Sequence, residues 1–193
     1  MTIKRLDGPP DGQKVMMREL GKRIPAAARF ATPLGGAPQA GSPVPFYHLG
    51  LEDLKMRSPL TKATITGWRF PIVGGIHPGL AIIAGMADGS SSTFEGLAHG
   101  IIAARFIRAA LLADEKLGSD VAEYEPRFLD VPALQFSALW LHGQKNWFIP
   151  LLEGRPPGTA PLVMVPSILP DLRARAAKRA VPVEPMGGGT PTN

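Results

Sequence analysis

Apolar positions recur at two spacings along the chain, and the longest run at helical spacing lies near the middle. Ala98, Ile102, Phe106, Ala109, Ala113 and Leu117 follow steps of three and four residues, one stripe of an α-helix. Residues 90–118 read as one long helix. Ser92 and Glu95 stand in the S-x-x-E relation of a capping box at its start. Lys116 falls in the last turn, and Gly118 suits the left-handed position that closes a helix. Arg105, Arg108, Glu115 and Lys116 supply a polar stripe. Leu97, Ile101, Ile107, Leu111 and Leu112 widen the apolar surface beyond one face, so this helix is expected to be covered on more than one side. Leu97, Ile101, Ile107 and Leu111 are the predicted interface. Arg105 and Arg108 fit poorly in a membrane span, and no transmembrane segment is expected.

Alternating or continuous apolar runs predict the strands. Residues 61–70 place Ala63, Ile65, Gly67 and Arg69 on one face and Thr64, Thr66, Trp68 and Phe70 on the other. Residues 80–86 are a continuous apolar run, expected as a buried strand. Residues 127–131 are expected as an edge strand, because Pro132 cannot donate to a ladder. Residues 134–142 alternate, Gly143–Asn146 form a four-residue loop, and residues 147–152 return as the second strand of a hairpin. Trp140 and Trp147 near that loop suggest a cross-strand aromatic contact. Residues 162–165 add a further extended segment. Residues 14–23 predict a short helix with Val15, Met16 and Leu20 inward. Residues 167–180 predict another, with Ser167 as N-cap and Pro170 in its first turn.

Together these elements give an α+β fold: an antiparallel sheet of four to five strands packed on one long helix, with Pro/Gly-rich extended N- and C-terminal arms. The expected organisation is a basic arm and linker over residues 1–45, an α+β core over 46–166, and a short basic helix and tail over 167–193. Composition sharpens the outer segments. The chain has 22 glycines and 21 prolines, many of them within residues 1–13, 31–45 and 182–193. Cysteine is absent, which excludes a disulfide scaffold, a thiolate metal site and a cysteine nucleophile. The first thirteen residues lack an apolar signal core, so the expected compartment is the cytoplasm.

The net charge of +5 comes from the ends. Residues 1–30 carry Lys4, Arg5, Lys14, Arg18, Lys22, Arg23 and Arg29 against three acidic residues. Residues 167–193 carry Arg173, Arg175, Lys178 and Arg179 against two, and the middle is near neutral. Basic ends on a neutral body suit an acidic partner such as nucleic acid, an anionic membrane surface or an acidic protein; the plainer alternative is solubilisation.

Little in the chain points to catalysis. Gly89, Ser90, Ser91 and Ser92 precede the expected helix N-terminus, where free N–H groups favour an anion, although Asp88 and Glu95 oppose one. Neither a phosphate-binding nor a dinucleotide-binding glycine motif is present. His48, His77, His99 and His142 show no i, i+3 or i, i+4 pairing, so neither a metal nor a cofactor is assigned. The sequences G-x-S-x-G and S-x-x-K are absent, and no catalytic residue is assigned. These patterns describe a non-catalytic interaction or assembly module that self-associates or docks on a larger complex through its apolar helix and terminal arms. The alternative is a small enzyme or ligand-binding domain with a pocket near Ser90, Ser91, Ser92 and His99. A second alternative is nucleic-acid binding through the basic ends.

Overall fold

In a computed structural model of the chain, eight strands lie side by side and helices cover both faces of the sheet they form. The structure describes residues 2–4, 6–23, 39–73, 79–85, 92–151 and 161–179. The strands are β1 (Thr2–Ile3), β2 (Gln39–Ala40), β3 (Val44–His48), β4 (Thr64–Val73), β5 (Gly79–Gly85), β6 (Ser92–His99), β7 (Glu123–Val131), β8 (Phe136–His142), β9 (Trp147–Pro150) and β10 (Val163–Met164). The helices are α1 (Gly12–Arg23), α2 (Ile101–Leu117) and α3 (Val165–Arg179). The order across the sheet is β10-β9-β8-β7-β3-β4-β5-β6. Two-residue strands β1 and β2 join it beside β7 and β4. Because β3 and β1 both run parallel to β7, the sheet is mixed.

This architecture overturns the expected antiparallel sheet of four to five strands on one long helix. The largest change is at residues 92–99. They form β6, antiparallel to β5, with Leu97 opposite Ala81 and Phe94 opposite Ile83. Ser92 and Glu95 therefore lie on a strand and make no capping box. The helix starts only after Gly100, whose backbone (φ 76°, ψ −139°) takes a conformation that disfavours any side chain. Gly96 and Gly100 both weaken the helical alternative by about 1 kcal/mol each relative to alanine. Tertiary pairing with β5 then decides the outcome.

The expected edge strand is interior. β7 pairs with β8 along one side and with β1 and β3 along the other. The Tyr124 carbonyl accepts from the Lys4 N–H at 2.9 Å, and the Asp130 carbonyl accepts from the Leu49 N–H at 3.0 Å. Even-numbered residues of β7 thus turn their backbone groups toward β1 and β3. Pro126, which has no N–H to give, falls in the gap between Tyr124, where β1 pairs, and Phe128, where β3 begins to pair. A proline is tolerated inside this sheet because its missing donor faces a break in the ladder.

The N-terminal segment is likewise no extended arm where it is described. β1 adds to the sheet, and Met16 and Leu20 of α1 pack on Trp68, Phe70, Ile72, Ala81 and Ile83. At the other end of the chain, residues 180–193 lie outside the described residues, as do residues 24–38, which hold the first part of the linker expected over 31–45. Residues 39–45 belong to β2, β3 and the turn between them.

Side-chain alternation divides the core between two faces. On one, Ala103, Phe106, Ala109, Ala113 and Leu117 of α2 bury Val44, Leu80, Phe128, Leu139 and Leu141. On the other, α1 covers the β4–β6 side, while Val165, Leu172 and Ala176 of α3 pack on Leu129, Phe136, Ala138, Trp140 and Phe148. Each fully buried large apolar side chain contributes about 1.5–3 kcal/mol to stability.

The β8–β9 hairpin forms as expected, with Leu141 opposite Trp147 across the Gly143–Asn146 loop. Its loop needs glycine: a Cβ at Gly143 would lie 2.7 Å from the Glu123 carbonyl oxygen. The expected Trp140–Trp147 contact is absent among the described ring contacts. Trp140 lies opposite Phe148 and Trp147 opposite Leu141, so the two indoles fall on opposite faces. α3 starts two residues before Ser167, whose hydroxyl donates to the Met164 carbonyl at 2.7 Å.

Candidate functional site

The four predicted interface residues do not share one surface. Leu97 is half-buried and packs with Phe94 in the cluster under α1, on the face opposite α2. Ile101 and Leu111 lie on the outward side of α2, where they are 54% and 60% exposed. Ile107 is half-buried on the flank of the same helix. Ala104 and Arg108 are exposed between Ile101 and Leu111 and complete the stripe. β6 lies immediately before α2 and ends the sheet, paired only with β5 among the described residues.

Gly89, Ser90 and Ser91 lie outside the described residues. Ser92 opens β6 and His99 closes it, so the two occupy opposite ends of one strand. The described junction that leads into α2 is Gly100, with no side-chain cap. His142 ends β8, four intervening strands away from β6. Among the described residues no group of three His, Asp or Glu could hold a metal ion. No described helix is long and apolar enough to cross a membrane.

The basic ends are engaged to different degrees. Lys4 is exposed beside β1, and Arg5 lies outside the described residues. Lys22 pairs with Glu19 at 2.7 Å, an exposed contact that holds the Glu19 carboxyl below its usual range. Arg23 ends α1. Arg173 donates to the carbonyls of Leu54, Met56 and Arg57 at 3.0, 2.6 and 3.3 Å. Arg175 donates to the Leu134 carbonyl at 2.8 Å and faces Asp171. These two arginines anchor α3 to the connections around it. Lys178 and Arg179 are exposed in the last turn, where cations favour the helix dipole.

Two arginines inside the sheet carry the most distinctive electrostatics. Arg127, on β7, lies on the face shared by α1 and α3. Its Nε donates to Glu125 Oε1 at 2.6 Å, and both side chains are only 15% exposed. Its guanidinium stands 4.7 Å from the Tyr47 ring and 4.6 Å from the Trp140 ring, a double cation–π contact. Burial raises the Tyr47 phenol, and the Arg127 charge opposes that rise. Trp140 Nε1 donates to Asn146 Oδ1 at 2.9 Å, and His142 Nδ1 lies 2.9 Å from the same oxygen. An indole N–H can only donate, so the facing atom of Asn146 is its oxygen. His142 must then carry its proton on Nδ1, which leaves Nε2 of the neutral ring as an acceptor.

Arg69, on β4, lies on the α2 face. Its guanidinium sits 3.7 Å above the centre of the Phe46 ring and 5.9 Å from Phe128, which stacks on Phe106 at 5.7 Å. Nη1 donates to the Trp68 carbonyl at 3.2 Å. No ion pair joins Arg69 to a carboxylate among the described residues. Burial pushes its pKa down to about 10, although Glu95 and Asp130 favour the charge from a distance. Asp130 already accepts from the Ser137 hydroxyl at 2.5 Å.

In the sequence Arg69 falls on the face of an expected strand, and neither arginine stands in a motif that marks a role. The signal was present in strand parity. Residues two apart on a strand share a face, and Arg127 has Glu125 at that spacing, whereas Arg69 has Gly67 and Pro71. No protein-family model, curated protein or solved structure matches the chain.

Proposed function

We propose that the chain is a non-catalytic assembly module that self-associates through the outer stripe of α2 and the neighbouring edge of β6. The observation that carries this reading is the exposure of Ile101 and Leu111, 54% and 60%, on one side of a helix whose opposite side is fully packed. Each leaves apolar area in water that a second copy would remove, at about 25 cal/mol per Å². The β6 edge supports the same reading, since an eight-residue strand paired on one side among the described residues offers a row of backbone donors and acceptors to another strand. Antiparallel pairing of two β6 edges about a two-fold axis would join two sheets into one and place both α2 helices on the same face of it. Multi-angle light scattering on the full chain at micromolar concentration tests the proposal. The expected result is a dimer mass that falls to the monomer mass in Ile101→Glu or Leu111→Glu. A monomer at every concentration up to the solubility limit contradicts it.

A further inference from the structure

We propose that Arg69 is the recognition centre of a small-molecule site on the α2 face, and that its ligand is a monocarboxylate with an apolar body. This site is independent of the assembly reading and lies on different residues.

An arginine from which water is withdrawn needs other acceptors for its donors. A guanidinium carries five N–H donors in a planar fork, and a half-buried one is normally matched by carboxylates or carbonyls. The other half-buried arginines follow that rule. Arg127 has Glu125, Arg173 has three carbonyls, Arg175 has a carbonyl and Asp171, and Arg105 donates to the Leu151 carbonyl at 2.8 Å. Arg69 has one backbone carbonyl at 3.2 Å and a phenyl ring. Most of its fork has no acceptor among the described residues.

The nearest carboxylates do not move in to supply one. In the register of the sheet, Arg69 lies opposite Ile82 of β5, which lies opposite Gly96 of β6, so Glu95 stands about two strand spacings away on that side. Asp130 stands two strands away on the other side, through β3 and β7, and is held by Ser137. Both are fixed by the strands that carry them.

The surroundings select the ligand. A carboxylate matches the guanidinium fork with two parallel N–H···O bonds. Phe46, half-buried beneath the guanidinium and backed by the buried Phe128 and Phe106, offers an apolar surface beside the cation, which suits a hydrocarbon or aromatic body. Glu95 and Asp130, two strands away on either side, oppose a second negative charge, which disfavours a phosphate dianion relative to a monoanion.

Isothermal titration of the full chain with 4-phenylbutyrate, and separately with inorganic phosphate, tests the proposal. Wild type is expected to bind 4-phenylbutyrate saturably and to show no saturable heat with phosphate. Arg69→Met is expected to bind at least about tenfold more weakly, as befits loss of a charge-assisted bidentate pair. Arg69→Lys keeps the charge and the fold but loses the fork, and falls between the two. Absence of saturable binding to wild type overturns the proposal. So does Arg69→Met or Arg69→Lys with wild-type affinity, or phosphate bound as tightly as 4-phenylbutyrate.

Discussion

Arg127 and Arg69 occupy one sheet two strands apart, each against aromatic rings, and on opposite faces. Their electrostatic situations differ. Arg127 lies between Tyr47 and Trp140 with a carboxylate at 2.6 Å. Arg69 lies on Phe46 with one backbone carbonyl and no ion pair among the described residues. Aromatic contact alone recovers about 0.5–2 kcal/mol for a cation, less than the cost of withdrawing it from water. The α1/α3 face is thus closed electrostatically by the chain itself, whereas the α2 face holds a cation that no carboxylate pairs among the described residues.

The strongest way to break this comparison is to remove the closed side's cation. Arg127→Met leaves the Glu125 carboxylate, 15% exposed, without its partner. It is expected to lower unfolding stability by about 3 kcal/mol in urea titration. Adding Glu125→Leu should restore a large part of that loss, because an apolar pair replaces an isolated charge. A second cut, Asn146→Ala, removes the acceptor shared by the buried Trp140 indole and His142. The orphaned donors should cost about 2 kcal/mol by the same measurement.

On the open side the expected sign reverses. Arg69→Met replaces an unneutralised cation by an apolar side chain of similar length, and should stabilise the ligand-free protein by about 1 kcal/mol. The smallest effect is in pH dependence. The folded protein holds the Arg69 proton less tightly than the unfolded chain does, since burial pushes its pKa down to about 10. Unfolded chains therefore bind more protons above that pH, and stability from this group rises as pH climbs through about 10. The gap between wild type and Arg69→Met should be full at neutral pH and narrow above it, as read from paired urea titrations.

Much of the scaffold was legible in the chain. Alternation from Leu134 to His142 with the Gly143 loop gave the β8–β9 hairpin, and the inward residues Met16 and Leu20 gave α1. The misread segment was 92–99, where S-x-x-E and a continuing apolar stripe imitate a helix start. Local pattern carries no information on the β5 pairing that makes it a strand, and Gly100 is the local signal against a continuous helix. Pro126 misled in a similar way: its effect depends on a gap between β1 and β3, two segments distant in sequence from it and from each other. The interface residues separated for the same reason, because Leu97 moved to a strand while Ile101 and Leu111 stayed on the helix. Of the two arginines, the Glu125 partner of Arg127 could be read from i, i+2 parity, and so could the lack of one beside Arg69. What parity could not reveal was that Phe46, from another strand, would lie beneath the guanidinium.

One arginine of this sheet is occupied by the chain, and the other is proposed to be available to a ligand. Arginine side-chain Nε–Hε spectra of the labelled protein, recorded while 4-phenylbutyrate is added, test it most directly. The Arg69 signal, identified by its loss in Arg69→Met, is expected to shift and saturate while the Arg127 signal stays in place. A titration in which the Arg69 signal does not move, or in which the Arg127 signal moves equally, would contradict it.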